Sequence, residues 1–386
     1  MHIIDTVPME FTLMHKDVSV AEMIFNNEGE LVKTKNVHSP DHMPYGTYIS
    51  GFLDGNLMRA WWKGRSIPAS RPGLEDLLEI SGMSHIGSIV LRSLGLSLSD
   101  HYWIRPSGSE LSWQDVNYFE NDFSDDIGDL LFGKGCVEGE FDFSSPDNTS
   151  DGVLRKRWKI VNGRRRLIKG GAFPYHQEPF NEVIASEIMS ILGVPHVRYD
   201  LVRDSGHVYC SCEDMVDGDT ELIPASRVCM ASRKPNERSW FDHYLTVCGD
   251  HGLDVRGDVE RMMVVDYIIC NRDRHFNNFG IIRDSGSLLW MMAAPVFDSG
   301  SSLGSNIATD MFDHGFFEEC KPFAKSFNEQ MKLVTSYDWL DRESLKSIPS
   351  VIEEVLSDSN GWMLPDRTTL IRKLVESRIS SLMCRL

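Results

Sequence analysis

Two runs of alternating character, VLRKRWKIV and RRRLIKGG, meet at Asn162-Gly163. Both residues tolerate the positive φ that a type I′ turn demands, so the pair predicts a tight two-residue β-hairpin. Directly after it, QEPFNEVIASEIMSILG reads as a helix, with Pro179 in the first turn and Phe180, Ile184, Ile188 and Leu192 on one face. Further strand-like text follows in HVRYDLV and HVYCSC, with a turn at Asp204-Ser205-Gly206. Ahead of the hairpin, EFDFSS reads as a strand and PDNTSDG as a loop.

Upstream, residues 8–35 hold short strand-like pieces in which Phe11 and Leu13 alternate around an NNEGEL turn, and two short amphipathic helices follow Pro72 and His85. Residues 101–123 supply Trp103, Trp113, Tyr118 and Phe119, whose expected use is packing, while Trp61-Trp62 reads equally as core or as interface. Beyond Glu213 the text is mainly helical and closes with Ile371, Val375, Ile379 and Leu382 on one helix face. The expected fold class is therefore α+β. An N-terminal α+β region (1–138) precedes a small β-rich lobe (139–216) and a larger helical lobe (217–386), with a ligand cleft between the lobes.

With 386 residues, 41% apolar and 25% charged, the chain has the material for a sizeable core. Its net charge of −18 repels nucleic acid and anionic membrane, so direct binding to either is not expected. Phosphate would need a local basic patch, and one exists: eight cations and no acid lie between Arg155 and Lys169. Most of these are expected to balance acidic neighbours on a solvated face. Lys169, beside Gly170-Gly171 and just before the helix, is the one placed to enter the cleft. The eight cysteines show no C-x-x-C pair and no clustered zinc spacing, which predicts reduced thiols. MHIIDTVPMEF carries Asp5 and Glu10 where a secretory signal would be basic and then apolar. The longest apolar run, Leu288 to Phe297, is about half of the roughly 20 residues a membrane span needs. A soluble cytoplasmic protein is expected.

The densest chemistry lies in VVDYIICNRDRHFNNFGIIRDSGSLLWMMAAPVFDSGSSLG, residues 264–304. It parses as a helix end, a polar loop, a short hairpin and a polar DSG, so that Asp273 and Asn278 share the loop and Asp298 arrives after the hairpin. Phosphoryl transfer needs Mg²⁺ on the nucleotide phosphates, held by carboxylate and amide oxygens, and a carboxylate beside the incoming hydroxyl. Asn278 and Asp298 fit the first need and Asp273 the second. The D-x-x-x-x-N spacing equals that of the protein-kinase catalytic loop, and VFDSG stands where D-F-G stands in that order. His275 is expected to shape the loop, and Asp266 and Arg272 to be structural.

Taken together, these residues resemble the HipA-type serine/threonine kinases, bacterial toxin kinases with a protein-kinase-like fold. The likeness is densest in RLIKGG with NEVIASEIMSILGV, in CSCEDMV, in NRDRHFNN and in APVFDSG, and it covers about residues 140–330. It implies ATP and Mg²⁺ as cofactors, Asp273 as catalytic base, Asn278 and Asp298 as Mg²⁺ ligands, and Lys169 as the lysine on the ATP phosphates. It further implies that the backbone at Glu213 and Met215 is the hinge for adenine. The NE pair points to Glu182 as the partner of Lys169, with Glu187 in reserve because it lies nearer the main apolar face. The implied activity is transfer of a γ-phosphoryl group to a serine or threonine hydroxyl of a protein substrate, with an antitoxin-like partner. Residues 1–138, however, do not read like the usual N-terminal part of those toxins. In such kinases phosphorylation of a serine can displace the nucleotide loop; here Ser144, Ser145, Thr149 and Ser150 lie in or beside it, with Arg155 to Arg157 as the expected phosphate partners. Two other readings stay open: a small-molecule kinase of the aminoglycoside-phosphotransferase type, and a catalytically idle kinase-like binding module.

Overall fold

The computed structural model describes residues 9–133, 141–314, 317–357, 359 and 363–386. Cys136, Glu140 and the 138/139 boundary lie outside them. Met9–His15, Val18–Phe25, Leu31–Lys35 and Tyr102–Pro106 form an antiparallel sheet, with Met9–His15 between Val18–Phe25 and Tyr102–Pro106. Its inner face (Leu13, Ala21, Met23, Phe25, Ile104) packs on Met58, Trp61 and Trp62 of the Gly55–Lys63 helix. The tryptophan pair is therefore core, with Trp62 Nε1 donating to Gly29 O at 2.9 Å. Burying each such side chain is worth roughly 1.5–3 kcal/mol. The expected helices after Pro72 and His85 form as Leu74–Ser81 and Ile86–Arg92, and Trp103 and Tyr118 are packed as anticipated.

The hairpin of Lys156–Val161 and Arg164–Lys169 turns through Asn162 (φ 53°) and Gly163 (φ 77°), both left-handed as a type I′ turn requires. His207–Glu213 pairs with its second strand and Tyr199–Asp204 closes the sheet. The helix Glu178–Leu192 lies against this sheet and ends at Gly193 in the left-handed conformation (φ 64°). Its buried residues Phe180, Ile184, Ile188 and Leu192 also reach the helices Trp240–Asp250, Arg256–Ile269, Arg342–Ser357 and Pro365–Met383, which share one core.

Two local expectations fail. Residues 141–145 of EFDFSS form no strand, because Phe141 and Phe143 turn onto the Ile127, Leu130 and Leu131 cluster and Asn148 Nδ2 binds Phe143 O at 2.7 Å. Conversely, Thr220–Pro224 is a strand, paired with Gly280–Asp284, which in turn pairs with Trp290–Ala293.

The N-terminal sheet is locked to this third sheet by a buried polar network. Glu221 accepts from Arg283 Nε at 2.5 Å and His15 Nε2 lies 3.2 Å away, while Arg283 Nη2 donates to Tyr102 Oη at 2.9 Å. Burial would raise the Glu221 carboxyl, yet Arg283 and the two neighbouring histidines hold it well below the usual range. Removing one partner of such a buried pair costs about 3–5 kcal/mol, so this network fixes how the N-terminal sheet sits.

Candidate active site

Lys169 ends the second hairpin strand and is only 5% exposed. Its Nζ donates to Glu182 Oε1 at 2.8 Å, to Asp298 Oδ1 at 2.7 Å and to Tyr199 Oη at 3.1 Å. Burial by itself would lower the lysine, but Asp298 and then Glu182 hold it well above its ordinary value. Asp298 shows the counterpart: burial pushes it up, and Lys169 followed by Lys156 pulls it below the usual carboxylate range. Of the two helix glutamates, Glu182 meets Lys169, while Glu187 is exposed on the opposite side of the helix. Glu182 Oε2 also accepts the Ser299 N–H at 2.8 Å, which ties the DSG turn to the helix. At Gly300 a Cβ would lie 3.2 Å from both Glu178 O and Glu182 Cγ, so a side chain there would press on the helix that carries Glu182.

The helix Arg256–Ile269 ends at Cys270 (φ 50°) and leads into the loop holding Asp273 and Asn278. Asp266 and Arg274, both fully buried, form a two-pronged pair at 3.0 Å for each contact. Arg274 also donates to Asn278 O, Phe297 O and Ser299 Oγ. One guanidinium thus fixes the loop and the DSG turn relative to each other. Asp266 is structural as expected, and Arg274 is its unanticipated partner. Asn278 is 7% exposed, and its Nδ2 donates to Asp273 O at 3.2 Å, which leaves its amide oxygen free of that bond. Asp273 is partly exposed, with Oδ1 bound by Lys321 Nζ at 2.8 Å. His275 shapes the loop: its Nδ1 accepts the Asn277 N–H at 3.3 Å.

Lys156, Lys169, Asn278 and Asp298 line a cavity of about 850 Å³ whose apolar lining includes Leu167, Val197, Met215 and Phe297. Asp273 is not part of this lining. Glu213 turns its carboxylate to Arg164 at 2.6 Å and is also among the residues on the cavity wall. Asp214 accepts backbone N–H groups from Val216 and Met215, which shapes the turn after the strand. Trp61, Arg65 and Tyr102 of the N-terminal segment form part of the same wall.

Most of the cation-rich hairpin behaves as a charge-balanced face. Arg157 pairs with Asp129, Lys159 with Asp125, and Arg166 with Asp200, while Arg165 donates to Tyr118 O and Asn121 O. Lys156 is the exception that composition alone does not single out. It is 8% exposed, faces the cavity and has no ion-pair partner among the described residues. Burial pulls its pKa down to about 8, with Asp298 opposing and Lys169 adding to the fall. Its signal is in the hairpin register: counting back from the Val161–Arg164 pair places Lys156 directly opposite Lys169.

The loop before the hairpin contains the short helical turn Pro146–Thr149. Asp147 within it accepts the Trp158 N–H at 2.9 Å, and burial pushes its carboxyl up to about 7. The cation that reaches Ser150 is Arg71, with Nη1 at 2.6 Å from Ser150 Oγ. Of the expected partners Arg155 to Arg157, Arg155 donates to Phe132 O and Arg157 pairs with Asp129 and Asp204, while Lys156 between them has no ion pair among the described residues.

No family model matches the chain, and no curated protein matches it. Among solved structures it is similar to a toxin–antitoxin complex of HipA, HipB and operator DNA from Shewanella oneidensis MR-1. That match has a TM-score of 0.56 at 14% identity and covers 96% of this chain and 97% of that one. A proinflammatory kinase, CtkA of Helicobacter pylori, aligns over 58% of this chain and 90% of its own, at 19% identity and a TM-score of 0.45. The first likeness shows the fold, which is kinase-like and of the HipA kind. Its coverage takes in most of the N-terminal segment too. Among the described residues no helix is long and apolar enough to cross a membrane.

Proposed function

We propose that the chain is an ATP- and Mg²⁺-dependent protein kinase of the HipA type, transferring a γ-phosphoryl group to a serine or threonine hydroxyl of a protein. The observation that carries the reading is the buried Lys169–Glu182–Asp298 cluster, with Lys156 and Asn278 on the same cavity. In this reading residues 139–216 form the smaller lobe, residues 217–386 the larger one, and residues 1–138 a preceding region.

Each residue then has a task. Lys169, aimed by Glu182, and Lys156 across the ladder hold phosphate oxygens. The Asn278 amide oxygen and the Asp298 carboxylate are the hard oxygen donors that suit Mg²⁺. When bound, that ion would neutralise charge on the phosphate oxygens. The apolar lining takes the adenine ring, with the backbone at Glu213 and Met215 as its hydrogen-bonding edge. Asp273 orients the acceptor hydroxyl and takes its proton at the carboxylate oxygen that Lys321 leaves open.

A cationic small-molecule acceptor would need unpaired acids along the cavity. Asp100 is paired with Arg65, Glu221 with Arg283 and Glu213 with Arg164, whereas Asp151 and Asp214 on the same lining have no ion pair among the described residues, so labelling in a lysate is what separates the two acceptors. HipB accompanies HipA in the Shewanella complex, and an antitoxin-like partner is proposed here by analogy. Given the net charge of −18, contact with DNA would have to come through that partner. Ser144, Ser145, Thr149 and Ser150 are the candidate loop hydroxyls for autophosphorylation. The test is thiophosphate-tagged ATP added to a host lysate with wild type or Asp273→Asn: labelled proteins that need Asp273 support the reading, and a labelled small molecule alone would replace it with the small-molecule kinase.

A further inference from the structure

Arg71 lies between the helices Gly55–Lys63 and Leu74–Ser81, about 80 residues before the loop that it holds. It is 2% exposed. Its Nε and Nη2 donate to Gly152 O at 3.0 and 2.6 Å, Nη2 also to Ser150 O at 2.6 Å, and Nη1 to Ser150 Oγ at 2.6 Å. Thr149 Oγ1 adds a second tie to the N-terminal segment by donating to Leu96 O at 2.8 Å. Among the described residues Arg71 has no ion pair at contact distance; its fork is taken up by two carbonyls and a hydroxyl, with Asp147 and Asp151 the nearby carboxylates that favour its charge.

The geometry of the peptide unit says what this arrangement achieves. In a trans peptide the C=O and the following N–H point in opposite directions, and both peptides concerned are trans. Holding Ser150 O and Gly152 O on Arg71 therefore turns the Asp151 and Val153 N–H groups away from it. Asp151, Gly152 and Val153 line the cavity together with Lys156 and Lys169. Neither N–H donates to a partner among the described residues. Two backbone donors beside two lysines make an anion-binding concavity.

We infer that Arg71 is a positioning residue: through it the N-terminal segment orients the Asp151 and Val153 N–H groups toward the nucleotide phosphates, and so sets nucleotide affinity without touching the nucleotide. The inference rests on the nucleotide reading of the cavity. It makes residues 9–133 a control element, because anything that shifts the segment around Arg71 relative to the loop alters affinity for phosphate.

The test compares Mg²⁺-ATP with adenosine in equilibrium titrations of the full chain, as wild type, Arg71→Ala and Arg71→Lys. Adenosine lacks the phosphates and reports the apolar slot alone. Arg71→Ala is expected to lose about tenfold or more in ATP affinity while adenosine stays within about twofold. Arg71→Lys, whose compact ammonium cannot reproduce the planar fork, should fall between. If Arg71→Ala does not fold, Arg71→Lys carries the same comparison. Equal losses for ATP and adenosine, or no loss for ATP, overturn the inference. Wild-type protein that binds neither compound removes the nucleotide reading itself, and the role of Arg71 with it.

Discussion

Lys169 and Asp298 stand 129 residues apart in the chain and 2.7 Å apart in space. Each is the other's main charge partner, and Asp298 and Asn278 both line the cavity. With Asp298 as a metal ligand and Asp273 as the group that orients the hydroxyl, the two aspartates differ in what they do for binding. Asp298→Ala should abolish the Mg²⁺-dependent part of ATP affinity, while Asp273→Ala leaves most of it. Calorimetry with and without Mg²⁺ checks this, and equal losses in the two variants would contradict the assignment.

The two helix glutamates give a second contrast. Glu182 grips Lys169 and the Ser299 N–H, whereas Glu187 is exposed. Glu182→Gln weakens a charge-assisted contact and should lower turnover by about tenfold or more. Glu187→Gln should match wild type in the same steady-state assay.

Lys156 predicts a pH dependence. Its pKa is pulled down to about 8 by burial, so above that pH the free protein loses a charge that phosphate would use. A bound phosphate raises the lysine's pKa again, so ATP binding takes up a proton and affinity falls as pH rises through about 8. The decline approaches tenfold per pH unit beyond it. Lys156→Met should bind more weakly and flatten this region of the profile. For folding the sign is reversed: between about 8 and the usual lysine value the unfolded chain binds more protons, so stability rises with pH across that window.

The Asp266–Arg274 pair supports the loop and the DSG turn together. Arg274→Met leaves a buried carboxylate without its partner and removes the tie to Ser299. Urea unfolding should show a loss of about 3–5 kcal/mol. Arg274→Lys should recover little, because one ammonium cannot make the forked contact.

The parts of the site that follow from local rules could be read in advance. The Asn162-Gly163 turn fixes the hairpin register and the register sets Lys169 at the strand end; the helix wheel misled, since it put Glu187 nearer the main apolar face, whereas Glu187 is exposed and Glu182 is buried against Lys169. The same register also contained Lys156, which composition hid among neighbouring cations. Arg274 was not legible, since nothing in NRDRHFNN marks which arginine will turn inward to Asp266. Arg71 was less so, because its partners are carbonyls about 80 residues away. EFDFSS alternates like a strand, yet tertiary packing of Phe141 and Phe143 prevails over that pattern, and Thr220–Pro224 becomes a strand only through its partner Gly280–Asp284.

The most direct test is transfer from γ-labelled ATP by purified wild type and Asp273→Asn, each with Mg²⁺ or with chelator, alongside ATP binding under the same conditions. The account predicts Mg²⁺-dependent transfer in the wild type, a fall of about 10²–10⁴-fold in Asp273→Asn, and similar ATP affinity for both. Wild-type protein that binds no Mg²⁺-ATP, or Asp273→Asn protein that transfers as fast as wild type, would contradict it.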